Sequence, residues 1–259
     1  KRQVFLGNSI TDGGRYHSFI WLYYMTRFPN MPIRVFNGGI GGDTAYDMNK
    51  RLDGDIFSKN PTVLMVTFGM NDSGYYEYNG DNAKEFGEQK YQESIKNFQQ
   101  MEKRFKELPH TRIVMTGTSP YDETAQIKDN TVFKKKNETI KRIIEYQRES
   151  AARNGWEFTD WNAPMVAINQ ELQQKDPSFT LCGNDRIHPD NDGHMVMAYL
   201  FLKAQGFAGK DVANMEINAN KKQAVKAEGC TISNIKKIGK DISFDYLADC
   251  LLYTSPSPR

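Results

Sequence analysis

Along the chain, short apolar runs rich in β-branched and aromatic residues alternate with longer stretches in which apolar side chains recur every three or four positions. That alternation is the pattern of β-α units stacked as a parallel sheet between helices. Strands are expected over 3–6, 33–36, 63–68, 112–116 and 157–159. Helical spacing is clearest over 91–108, where Ile95, Phe98, Met101, Phe105 and Leu108 mark one face, and over 133–153. A last helix is expected over 192–205, stopped by Gly206. The expected class is α/β, with helices on both faces of a parallel sheet.

Two segments break the repeat. Residues 75–90, rich in Tyr, Gly, Asn and Asp, exceed the usual β-α connection of about two to six residues and are a candidate functional loop. After Gly206 the runs 212–217, 231–235 and 242–244 read as short strands around a small Lys/Ala-rich turn of helix. The expected organisation is therefore one domain over 1–206 and a β-rich, truncated appendage over 207–249. Residues 250–259 resemble a translated sequencing adapter and are expected to be a non-native tail.

Composition narrows the class. With 259 residues, 39% hydrophobic and 25% charged, the chain reads as a soluble globular protein. Its 34 basic and 32 acidic residues are spread along the length and give a formal net charge of +2, so no field is present to hold a polyanion and nucleic acid is disfavoured. Lys134-Lys135-Lys136 looks basic, yet acidic residues follow it and the solvated face of a helix is the better reading. Cys182, Cys230 and Cys250 lie far apart, with no C-x-x-C spacing, which argues against a zinc site or a disulfide scaffold. No apolar run approaches the roughly 18 to 20 residues of a membrane span. Lys1 opens the chain without methionine, so a signal peptide is either removed or not included.

The small and polar residues fall where a parallel sheet binds ligands, outside the carboxyl ends of its strands. The first strand runs into Gly7-Asn8-Ser9, the second into Asn37-Gly38-Gly39-Ile40-Gly41-Gly42-Asp43-Thr44, and the third into Gly69-Met70-Asn71-Asp72. One rim thus gathers a hydroxyl, a glycine-lined backbone and a carboxamide. The glycine run fails the dinucleotide pattern, since Thr44 stands where G-x-G-x-x-G needs glycine, and no Gly-Lys-Ser/Thr follows. Such a loop can still bring backbone N–H groups close to a small anion or a developing oxyanion.

Of four histidines, His17, His110 and His194 have ordinary core, surface or capping readings. His188 differs, because Asp185-Arg186-Ile187-His188-Pro189 sets a carboxylate three residues before it on a loop ending at a helix start. Asp185 can then curl back to one imidazole nitrogen while the other points outward. By itself Asp-x-x-His is weak and equally a metal half-site. Joined to Ser9 it makes a Ser-Asp-His triad hypothesis, distinct from the G-x-S-x-G elbow because Gly7-Asn8-Ser9-Ile10-Thr11 lacks the second glycine.

These four blocks, Gly7-Asn8-Ser9-Ile10-Thr11, Gly41-Gly42-Asp43-Thr44, Gly69-Met70-Asn71-Asp72 and Asp185-Arg186-Ile187-His188-Pro189, resemble in order those of the SGNH (GDSL-type) hydrolases, over about residues 3 to 206. The resemblance implies a three-layer, flavodoxin-like parallel sheet and a serine esterase. It implies Ser9 as nucleophile, His188 as general base and then acid, and Asp185 as its orienter. The oxyanion hole would be the backbone N–H groups of Ser9 and Gly42 and the Asn71 amide, with Gly41 still open as the alternative to Gly42. Asn8, where the family name has Asp, leaves nucleophile and triad intact. No metal or organic cofactor is implied, and a secreted or periplasmic location is expected from relatives that degrade glycans.

The resemblance, the β-rich segment and the aromatic loop together suggest a carbohydrate esterase that removes acetyl groups. Tyr75 and Tyr76 would stand at the mouth of the site against sugar rings, or pack on their own domain. Trp161 has the same two readings, with core packing the better one. Competing readings are a lipid or thioester hydrolase of the same family and a glycan-binding protein without turnover.

Overall fold

The structure is a computed structural model that describes residues 1–128 and 131–250. The expected non-native tail therefore lies, apart from Cys250, outside the described residues. Five strands, β1 (Arg2–Gly7), β2 (Arg34–Gly39), β3 (Val63–Phe68), β4 (Arg112–Gly117) and β5 (Glu157–Asp160), form one sheet in the order β2-β1-β3-β4-β5, with every neighbouring pair parallel. The class is α/β with the flavodoxin-like order. After β2 the chain crosses to the far side of β1, so the order reverses between β1 and β3, and the loops leaving β1, β2 and β3 meet at that reversal.

Period-two alternation loads both faces. Val4 and Leu6 of β1, Leu64, Val66 and Phe68 of β3, and Ile113 and Met115 of β4 join a buried cluster with Met48, Phe98, Met101, Phe105 and Ile143. These last five come from α3 (Ala45–Lys50), α4 (Ala83–Phe105) and α5 (Lys136–Asn154). Each such side chain, removed from water, contributes about 1.5–3 kcal/mol before the entropy cost of ordering it. On the opposite face, Phe5 packs on Tyr16 of α2 (Arg15–Arg27) and on Phe201 of α7 (Asn191–Ala204), while Tyr16 meets Trp161, next to α6 (Asn162–Leu172), edge to face.

α4 begins well before the expected position, so half of the presumed 75–90 loop is helix. Its first turns carry few apolar residues, which left the periodicity silent; Gly87 instead serves close contact, since a Cβ there would fall 2.7 Å from Thr139 Oγ1 of α5. In the other direction, α5 starts at Lys136 rather than 133.

The described chain divides into two compact units, one of residues 1–20 and 34–206, the other of residues 21–33 and the segment from Phe207 onward. The expected boundary gave 21–33 to the first. Phe207 gathers Tyr23, Tyr24 and Phe28 at ring separations of 5.6–5.8 Å, which ties those residues to the second unit. That unit also holds two antiparallel hairpins, β6 (Asn214–Asn218) with β7 (Gln223–Glu228) and β8 (Cys230–Ile238) with β9 (Asp241–Ala248). The Lys/Ala-rich stretch expected as a helical turn is β7: pairing with β6 overrides its helix propensity. No helix among the described residues is long and apolar enough to cross a membrane.

His194 of α7 is 4% exposed and stacks on Tyr16 at 5.9 Å, with His17 buried nearby. Burial, reinforced by the positive charge of Arg15, pushes the His194 imidazole down to about 4, and burial likewise lowers His17. Both stay neutral in the fold at pH values where the unfolded chain protonates them, so folding stability from these groups is lost as pH falls below about 6.5. Urea midpoints measured from pH 7 to 5 should fall less for His194→Phe than for the wild type. Parallel curves over that range would refute the assignment.

Candidate active site

β1 ends at Gly7, where a Cβ would fall 2.0 Å from Thr11 Oγ1, so only glycine lets the chain fold back this sharply. Asn8 then caps the single turn α1 (Ser9–Asp12), its Oδ1 accepting from Ile10 N at 3.1 Å. A side-chain oxygen is all this cap needs, so asparagine serves it. The turn is braced from behind: Tyr16 Oη and Thr11 Oγ1 lie 2.9 Å apart, and His17 Nε2 lies 3.3 Å from Thr11 O. Ser9 is thereby fixed at the rim with its hydroxyl outward.

Across the rim, the loop 183–190 brings His188 to that hydroxyl. Ser9 Oγ and His188 Nε2 are 2.8 Å apart, and His188 Nδ1 and Asp185 Oδ2 are 2.5 Å apart. The other carboxylate oxygen, Asp185 Oδ1, accepts from the backbone N–H groups of Ile187 and His188, both at 2.9 Å. Asp190 then caps α7 by accepting from Gly193 N. The carboxylate raises the His188 pKa above 6.5, against the opposing effect of burial. For Asp185, partial burial pushes upward, and the bonds from His188 and the two N–H groups outweigh it and lower the pKa.

The glycine loop passes beside the serine: a Cβ on Gly41 would lie 4.0 Å from Ser9 Cβ, and Gly42 has φ +84°, a backbone that favours glycine. Among the described residues no acceptor takes the N–H of Ser9, Gly41 or Gly42. Asn71 donates from Nδ2 to Asp43 O at 2.9 Å, which sets its amide nitrogen beside the same loop and leaves its second hydrogen available. The N–H groups of Ser9, Gly41 and Gly42, the Asn71 amide and the Ser9 hydroxyl thus lie on loops that meet at the strand-order reversal.

Several supporting residues escaped sequence reasoning. Buried Asp72 accepts from Ala45 N, Gly69 N and Ser94 Oγ, joining the third loop to α3 and α4; its place in Gly69-Met70-Asn71-Asp72 was the available signal. Arg51 binds Asp43 Oδ2 at 2.6 Å and the carbonyls of Gly7 and Gly38. Arg186, at φ +68° and 2% exposed, donates to the carbonyls of Asp122 and Ala125, fixing the Asp185–His188 loop to the segment after β4. Lys136, expected on a solvated face, is completely buried.

The aromatic candidates separate. Trp161 is completely buried and donates its indole N–H to Met197 O, so it is a core residue and not a substrate contact. Tyr75 is partly buried, with its phenol donating to Asn71 Oδ1 at 2.5 Å. Tyr76 is 80% exposed and rests edgewise on Phe133.

Residues 5–196 match the GDSL-like lipase/acylhydrolase family. A solved structure of BT4096, a gut microbial diltiazem-metabolizing enzyme, is 99% identical with a TM-score of 0.93; it covers 96% of this chain, which spans only 56% of that one. The acetylxylan esterase of Geobacillus stearothermophilus is 24% identical over 223 residues, 80% of this chain and 94% of its own. A catalytic mutant of that esterase with serine replaced by alanine superposes at a TM-score of 0.64 and 21% identity, covering 80% of this chain and 94% of its own. Other catalytic mutants of it replace an aspartate and a histidine.

Because Asp185 holds a proton on its partner, the His188 ring should titrate by NMR with a midpoint above 6.5, and Asp185→Asn should bring that midpoint down. An unchanged midpoint in Asp185→Asn would show that the 2.5 Å contact does not govern the imidazole.

Proposed function

This chain belongs to the GDSL-like lipase/acylhydrolase family, and from that premise we propose that it is a serine esterase that releases small acyl groups, acetate foremost, from carbohydrate and other ring alcohols. The observation that carries the reading is the continuous contact from Ser9 Oγ through His188 to Asp185, at 2.8 and 2.5 Å.

In this reading Ser9 Oγ adds to the ester carbonyl as His188 Nε2 takes its proton, and the carbonyl π electrons move onto oxygen. The oxyanion is received by the backbone N–H groups of Ser9 and Gly42 and the free hydrogen of Asn71 Nδ2, donors already held in place before substrate arrives. Collapse of the adduct breaks the acyl–oxygen bond, and His188 returns the proton to the departing alcohol. Water then attacks the acyl-Ser9 ester by the same route and frees the acid. Asp185 holds the imidazole in the required tautomer and stabilises its cation.

The substrates named for the two relatives support acetate. Acetylxylan and diltiazem both carry an acetate ester on a ring alcohol, so cleavage of that ester would ask for a small acyl pocket beside a bulky alcohol. The triad's openness favours the same division: the side chains of His188 and Asp185 are 48% and 51% exposed. Tyr76, exposed near this rim, offers an aromatic face to a ring on the alcohol side.

Acetate release should be measured from acetylated xylo-oligosaccharides, diltiazem, p-nitrophenyl acetate and a long-chain p-nitrophenyl ester. Turnover of the acetates over the long chain is expected; preference for the long chain would overturn the acyl assignment, and binding without turnover would make the chain a glycan-binding protein. Ser9→Ala or His188→Ala should lower kcat about 10⁴- to 10⁶-fold. Asn71→Ala should cost about 10²- to 10³-fold, as for a lost oxyanion donor. Wild-type turnover by purified Ser9→Ala would remove the serine mechanism altogether.

A further inference from the structure

A carboxamide has two nearly isosteric ends, and only one of them can donate to an oxyanion. The Asn71 side chain is pinned at both. Its Nδ2 meets Asp43 O, and its Oδ1 accepts the Tyr75 phenol at 2.5 Å. If the amide turned over, its oxygen would face the Asp43 carbonyl oxygen and the bond from Tyr75 would lose its acceptor.

Beneath this pair lies a lysine that the triad does not use. Lys136 Nζ sits 3.8 Å from the centroid of the Tyr75 ring and 5.8 Å from that of Tyr121. It donates to Met70 O at 2.7 Å, Ser73 Oγ at 2.6 Å and Gly74 O at 2.5 Å. These three acceptors bracket the turn that carries Asn71. A cation over the ring face draws electron density from the phenol, which strengthens its O–H as a donor and weakens its oxygen as an acceptor. Resting on the serine-esterase reading above, we propose that Tyr75 and Lys136 are the positioning pair of the oxyanion site: Tyr75 holds the Asn71 amide in its donating orientation, and Lys136 holds the turn and polarises Tyr75.

The electrostatics agree with the geometry. Burial drives the Tyr75 ionisation far up, so the phenol remains a donor at any working pH. Burial lowers the Lys136 amine to about 7 even against the upward pull of Asp72 and Glu123. Three hydrogens on an ammonium match three acceptors, so the charged form completes the clamp. Neither side chain has to touch substrate for this role; both act through Asn71.

The test is a double-mutant cycle on the full chain with p-nitrophenyl acetate. Tyr75→Phe keeps the ring over Lys136 and removes only the hydroxyl. It should lower kcat about 10-fold, the scale of one hydrogen bond, with KM changed less than about 2-fold and a thermal midpoint lowered by only a few degrees. In an Asn71→Ala background the same substitution should cost nothing further, because its target is gone. Lys136→Met, checked for folding by circular dichroism, should follow the same non-additive pattern; if it does not fold, the Tyr75→Phe cycle decides alone. The pair is refuted if Tyr75→Phe turns over at the wild-type rate, or if it loses the same factor again without Asn71. Ser9→Ala run alongside separates the two levels: an inactive Ser9→Ala beside a fully active Tyr75→Phe overturns only the positioning pair, whereas an active Ser9→Ala overturns the esterase mechanism beneath it.

Discussion

Where strands of a parallel sheet end, their loops carry backbone carbonyl and N–H groups that no ladder satisfies, and burying such groups unpaired costs about as much as losing a hydrogen bond. That constraint organises the catalytic rim of this fold. Three cationic side chains collect its carbonyls: Arg51 those of Gly7 and Gly38, Lys136 those of Met70 and Gly74, and Arg186 those of Asp122 and Ala125. Two buried carboxylates collect N–H groups, Asp72 those of Ala45 and Gly69 and Asp122 those of Thr124 and Ala125. Among the described residues Arg51 alone of the three has carboxylates in contact, at Asp43 and Asp55. Lys136 and Arg186 are charges held by dipoles, which is costly in desolvation and therefore demands fixed geometry.

The consequence is a division of burial. The groups that set loop positions are dry, while the groups that would meet substrate are wet. Asp72, Lys136 and Arg186 are buried; Ser9 is half-buried and Asp185 and His188 are open to solvent. A donor's worth to a developing oxyanion depends on its being oriented beforehand, so rigidity belongs underneath the site and access above it. The strand order supplies the remaining requirement, because it reverses between β1 and β3, where the loops leaving β1, β2 and β3 meet.

How much of this was legible in the sequence follows from how local each signal is. Five strands and the order of the four motif blocks are local patterns, and β3 begins and ends where its apolar run does. Ser9, Asp185 and His188 stand in short motifs whose spacing is itself the signal. Lys136 was misread because its burial depends on Tyr75, Tyr121 and the 70–74 turn, all at least 15 residues away in sequence; within a triplet of lysines nothing local distinguishes it. Arg186 was invisible for the same reason, as its partners Asp122 and Ala125 lie about sixty residues upstream. The hairpin strand β7 was misjudged because a pairing partner, not composition, decides whether such a stretch extends. For Trp161 the sequence favoured core packing over a substrate contact, and in the fold it is completely buried with its indole N–H on Met197 O.

The missed residues share a trait that bears on how such a site can vary. A side chain that meets substrate can change with the substrate, since only its own contacts are at stake. A buried cation that satisfies two or three carbonyls cannot be neutralised without leaving those carbonyls unpaired in a dry place, and a shorter or differently shaped cation would move the loop. Arg186 adds a second restraint, because its left-handed backbone is disfavoured for non-glycine residues and is held by its N–H on Gly183 O, its carbonyl on Asp122 N and its guanidinium on the Asp122 and Ala125 carbonyls. An exposed side chain such as Tyr76 can therefore change far more freely than the buried supports Asp72, Lys136 and Arg186.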